Sequence, residues 1–144
     1  MTMIQELNQL GIIFRQSLEI TLNTIGHEDI DLILDDRDEA EFSNAWMQAY
    51  QSIEQKIMGP EIKTTIDEIR KEMFMLTFGI TKSSDLSAYI SDDIDLICSC
   101  YVHGDENNWI AHLLFTYLHH QIPQGKLIET DQTLNDLIKG ATEK

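Results

Sequence analysis

Apolar residues recur at three- and four-residue steps along nearly the whole chain, the period of helices with one buried face. Ile4, Leu7, Gly11, Phe14, Leu18, Leu22 and Ile25 form the first stripe, and Gly26 is placed to end it. Ile12, Ile13 and Ile20 widen that stripe, which predicts burial on more than one side. The pattern returns from Asp38 with Phe42, Ala45, Trp46, Ala49, Tyr50, Ile53 and Ile57. Gly59-Pro60 then closes one helix and opens the next, because glycine suits a helix end and proline a first turn. A further stripe, Ile62, Ile66, Ile69, Met73 and Leu76, is expected to stop near Gly79.

Ser84 is a candidate N-cap for a helix carrying Leu86, Ile90, Ile94, Ile97 and Tyr101 as far as Gly104. Asp105 is a candidate cap for a helix with Trp109, Ile110, Leu113, Tyr117 and Leu118, ending before Pro123. Thr130 can cap a short last helix with Leu134, Leu137 and Ile138. Segments 30–34 and 94–102 alternate enough to be strands, but their helical neighbours and the lack of an Asn-Gly or Asp-Gly hairpin turn favour helix. The expected fold is all-α, six or seven helices with short turns, in a single domain over residues 1–144.

The pentapeptide Asp-Ile-Asp-Leu-Ile occurs at 29–33 and again at 93–97. Downstream, Asp38-Glu39 with Phe42 matches Asp105-Glu106 with Trp109, and Tyr50 matches Tyr117, after a three-residue shift. This suggests two duplicated helical hairpins, each a short helix, an acidic turn and a longer helix. The alternative is coincidence in a chain rich in Asp, Ile and Leu.

Charge changes the picture more than composition does. The 144 residues carry 25 Asp+Glu against 10 Lys+Arg, a formal net charge of −15. Such a chain is no natural ligand for nucleic acid or for an anionic membrane, since both demand a basic surface. The charge is also uneven. Residues 27–41 sum to −7, from Glu28, Asp29, Asp31, Asp35, Asp36, Asp38, Glu39 and Glu41 against Arg37. Residues 83–125 sum to −6, from Asp85, Asp92, Asp93, Asp95, Asp105 and Glu106, with no Lys or Arg. Lys63, Asp67 and Lys71, by contrast, interleave at i,i+4 as on an ordinary solvated face. If the two repeats pack together, their acids could join into one surface for a basic protein partner. The plainer explanation is solubility. Trp46, Trp109, Tyr50 and Tyr101 lie near these blocks, where they could be interface anchors or, as is commoner for helical aromatics, core.

The start of the chain lacks a basic n-region and a small-residue cleavage site, and no apolar run is long enough to span a bilayer. Cys98 and Cys100, one residue apart, read as buried thiols and not as a disulfide framework. A reducing cytoplasm is the expected compartment. Cys98, Cys100 and His103 supply too few ligands for a structural zinc site, and His112, His119 and His120 fit no HExxH pattern. The histidines before Pro123 suit a helix C-terminus instead. No cofactor, metal or catalytic residue is expected. Glu68 with Glu72, and Asp92 with Asp95, share helix faces and leave open an alternative, a Mg²⁺-dependent nucleotide pyrophosphohydrolase. The denser Glu-Glu pair and the basic cluster of such enzymes are missing.

A small, acidic, helical chain without a catalytic motif resembles bacterial immunity proteins, which neutralise the toxin domains of colicins and contact-dependent growth inhibition systems. The resemblance is one of type and rests on no diagnostic motif. It implies a cognate basic toxin domain, often a nuclease, bound stoichiometrically. The candidate partner-binding residues are Glu28, Asp29, Asp31, Asp35, Asp36, Asp38, Glu39, Glu41, Asp92, Asp93, Asp95, Asp105 and Glu106. Asp38 and Asp105 are also candidate helix caps. An acidic DNA-mimic inhibitor is a further alternative.

Overall fold

The computed structural model describes residues 1–142, and the side chains of 1–141. Among these residues there are seven helices and no strand: α1 (Met3–Thr24), α2 (His27–Arg37), α3 (Ala40–Ile53), α4 (Pro60–Thr81), α5 (Ser84–His103), α6 (Asn108–Leu118) and α7 (Leu134–Thr142). The two stretches that alternate like strands lie inside α2 and α5.

The ends of these helices follow local chemistry. Thr2 caps α1 through a reciprocal pair with Gln5. Gly59 and Pro60 open α4 as expected, but they do not close α3, which ends earlier, at Ile53. Gly104 closes α5 in the left-handed region, φ 65°, its N–H donating to the carbonyls of Cys100 and Tyr101.

Several other expected stops and caps sit elsewhere. Gly26 is the N-cap of α2, not the left-handed end of α1. Gly79 lies within α4, which continues to Lys82, a left-handed C-cap at φ 61°. Ser83, not Ser84, caps α5, and its hydroxyl accepts from the Leu86 N–H. Asn107, not Asp105, caps α6. The α7 start is held by Thr133 and Asp136 in a reciprocal pair, not by Thr130. Ile57 falls in the α3–α4 loop, 94% exposed, and is no part of a helix stripe.

The core is built around α5, which packs on α2, α3, α4 and α6. Its Leu86, Ile90, Ile94 and Ile97 are fully buried, as are Cys98 and Cys100. Burial pushes both thiols up, Cys100 to about 12, so neither is a nucleophile at neutral pH. On the opposite flank α1 lies against α4, α6 and α7. The α1–α4 approach is close at Gly11, where an added Cβ would stand 3.3 Å from Ile69 Cγ1. Phe14 of α1 meets Tyr117 of α6 with ring centroids 4.6 Å apart, and Ser17 donates to the Tyr117 carbonyl at 2.6 Å.

The two repeat units occupy helical hairpins, α2–α3 and α5–α6, but their proportions differ. The first runs short helix then longer helix, while the second is a 20-residue helix followed by one of 11 residues. Phe42 and Trp109, matched by the repeat, do meet edge to face at 5.2 Å. The matched acids do not share an environment. Asp29 caps exposed α2 by accepting from the Gly26 N–H at 3.0 Å, whereas Asp93 is fully buried.

Candidate functional site

α2 is seated by only three buried residues, Ile30, Ile33 and Arg37, at steps of three and four. The rest of the helix therefore faces outward. Glu28, Asp29, Asp31, Asp35 and Asp36 are exposed on it, and Asp38, Glu39 and Glu41 extend the row into the start of α3. Glu28 and Asp29 favour the positive N-terminal end of α2. The others repel one another: Arg37, the one Lys or Arg of this segment, is spent elsewhere, and Lys126 borders only the cleft shared by Asp29 and Asp36. Leu32 stands 62% exposed among them.

Arg37 turns inward and meets Asp93 of α5. Its Nη2 donates to Asp93 Oδ1 at 2.7 Å, and its Nη1 to Oδ2 at 2.8 Å and to the Pro123 carbonyl at 3.0 Å. Trp46 Nε1 and the Tyr117 hydroxyl also donate to Asp93, at 3.0 and 2.5 Å. Four donors from α2, α3 and α6 thus converge on one buried carboxylate. The guanidinium packs over the rings of Phe42 and Tyr89, 4.6 and 5.0 Å from their centroids. Burial opposes the Arg37 charge, but Asp93 outweighs it and holds the pKa above the ordinary arginine value. Burial, reinforced by Asp93, raises the Tyr117 hydroxyl well above its ordinary value. Sequence reasoning placed Asp93 on the docking face, and the structure corrects this: a side chain with no exposure can touch no partner.

The remaining acids of the second block are also less available than the first. Arg70 of α4 reaches Asp92 at 2.8 Å and Asp95 at 3.3 Å. Partial burial raises both carboxyls above their usual range, with Arg70 pulling the other way. Asp105 accepts from the Ser52 hydroxyl at 2.7 Å, at the C-terminal end of α3, and the exposed Glu106 follows it. That end is a helix length, about 20 Å, from the Asp38–Glu41 end. Asp92 does join the first block. It lines the same 200 Å³ pocket as Asp38, between α3 and α5, walled by Phe42, Trp46, Met47 and Tyr89. Trp46 and Asp92 also border a second cleft along α4, floored by Ile53, Ile66 and Leu96.

Three of the four carboxylates of the pyrophosphohydrolase alternative are engaged by arginines: Glu72 pairs with Arg15, and Asp92 and Asp95 with Arg70, while Glu68 is exposed on α4. Among the described residues no cluster of three or more His, Cys, Asp or Glu side chains is arranged to hold a metal ion. His112 Nδ1 instead accepts from the Thr130 N–H at 3.2 Å, and His119 is the C-cap of α6. Among the described residues no helix is long and apolar enough to cross a membrane.

The buried pair of Arg37 and Asp93 lies in register with apolar stripes. Arg37 continues Ile30 and Ile33, and Asp93 sits between Ile90 and Ile97. A charge in such a register is the available signal for a buried pair.

A comparison with the curated proteins finds no match. A comparison with family models does: residues 11–124 match the model described as Immunity protein PIM1. The matched span contains α2 through α6 and most of α1, including the acidic helix and the buried Arg37–Asp93 pair. The chain belongs to the PIM1 family of immunity proteins.

Proposed function

We propose that this immunity protein neutralises a basic toxin domain, of the nuclease type, by binding it one to one through the acidic surface of α2 and the α2–α3 junction. The observation that carries this reading is the row of eight exposed carboxylates, Glu28, Asp29, Asp31, Asp35 and Asp36 on α2 and Asp38, Glu39 and Glu41 at its junction with α3. Clustered like charge costs stability and is relieved when a surface of opposite sign covers it. A nuclease presents such a surface, because its substrate is a polyanion. Long-range attraction speeds capture, which suits a protein that must reach its toxin before the toxin acts. Asp92 extends the face from α5, whereas Asp95 is held by Arg70, and Asp105 and Glu106 lie a helix length away.

The test is co-purification from the native host with elution by salt, followed by mass identification. The expected result is a small basic protein in equimolar amount that salt releases. Recovery of the chain alone, or with an acidic partner, overturns the reading.

A further inference from the structure

We infer that the pocket between Asp38 and Asp92 is a socket for a single long cationic side chain, arginine or lysine, of the basic partner; this rests on the function proposed above. Three independent features converge there. The walls are apolar and aromatic, from Phe42, Trp46, Met47 and Tyr89, which suits the methylene stem of such a side chain. The rim carries two carboxylates, Asp38 from the α2 end and Asp92 from α5, which suits its charged head. The aromatic surface is also fixed in place. The Trp46 indole N–H is tied to Asp93 at 3.0 Å, its ring stacks on Tyr50 at 5.7 Å, and the Tyr89 hydroxyl donates to Asp38 at 2.7 Å. A preordered aromatic wall attracts a cation without the added cost of ordering its own side chains.

Two cations already border the socket, Arg37 in its lining and Arg70 on the far side of Asp92, and neither fills it. Arg37 lies beneath it with its charge answered by the bidentate contact to Asp93. Asp38, Glu39 and Glu41 then face outward uncompensated, while Asp92 is shared with Arg70, which approaches it from the α4 side at 2.8 Å and leaves it about half exposed. Met47, 43% exposed, and Tyr50, 38% exposed, continue the apolar surface along α3 beside the socket. An acidic row steers a partner but gives little register. A socket that accepts one side chain supplies it, and buried cations on aromatic walls are typical of interface positions whose loss is costly.

The test is a titration of the isotopically labelled protein with N-acetyl-arginine methylamide, followed by the indole N–H resonances of Trp46 and Trp109. N-acetyl-norleucine methylamide, an unbranched apolar side chain without charge, is the control. The expected result is a saturable shift at Trp46 with the arginine probe alone, weakened about fivefold by Asp92→Asn. Trp46 unmoved at tens of millimolar probe, or moved equally by norleucine, overturns the socket. If a salt-released basic partner is recovered all the same, only the socket fails. A saturable, Asp92-dependent shift without such a partner supports the socket and removes the toxin reading.

Discussion

Asp93 of α5 and Arg37 of α2, 56 residues apart in the chain, hold one another through two parallel hydrogen bonds with almost no exposure to solvent. Taking both charges out of water is expensive, and the mutual attraction offsets it only while both remain. Asp93→Ala and Arg37→Ala should each cost about 3–5 kcal/mol in urea unfolding. The double variant Arg37→Met with Asp93→Leu should cost far less than the two single losses summed. Single variants within about 1 kcal/mol of the natural protein would show that the pair is not a structural charge pair.

Tyr117 gives the pH dependence of the same cluster. Burial and Asp93 raise its pKa well above the ordinary 10.0. A raised folded-state pKa contributes stability that is complete below the unfolded value and lost as pH rises toward the folded one. Stability should therefore fall above about pH 10 as the unfolded tyrosine ionises and the folded one does not. Tyr117→Phe should cost about 1–3 kcal/mol at pH 7, since Asp93 loses a donor. Its alkaline decline should be shallower by about one proton, as read from denaturation between pH 8 and pH 11. Equal slopes would contradict the buried, protonated hydroxyl.

The acidic helix makes a kinetic prediction. Asp35→Lys, Asp36→Lys and Glu39→Lys together should slow association with the partner by about 10- to 100-fold at low salt. The salt dependence of the on-rate should flatten, while far-ultraviolet circular dichroism stays unchanged. An unaltered on-rate would move docking away from α2.

Lys82 ends α4 in the left-handed region at φ 61°, a conformation that costs a residue with a Cβ. Its N–H donates to the Phe78 carbonyl, a bond that glycine keeps. Lys82→Gly should stabilise the protein by about 0.5–1 kcal/mol in thermal unfolding. A loss of stability would mean that the Lys82 ammonium, 5.9 Å from the Phe78 ring centre, matters more than the backbone.

Helical periodicity was enough to place the helix breaks near Gly26, Gly59-Pro60, Gly104 and Pro123. These are set by chemistry within a turn or two, which a sequence displays directly. Caps were misplaced by one to three residues because Ser83 and Ser84, or Asp105 and Asn107, offer the same oxygen. Only the tertiary path of the chain decides between them. The candidate site divides on similar grounds. The acids of α2 were legible as a surface because nothing apolar separates them from solvent. Asp93 was not, because a carboxylate reads identically whether it faces water or a guanidinium. Its partner arrives from another helix, and so do the arginine contacts that engage Asp92 and Asp95.

α2 is anchored by Ile30, Ile33 and Arg37, with Leu34 packed partly against the core beside them, and these four positions bind its orientation. The outward positions carry no packing duty. A lineage can therefore exchange them one by one, tracking changes in an opposing protein, without renegotiating how the chain folds. On the docking proposed above, diversification of partner choice is uncoupled from the risk of unfolding.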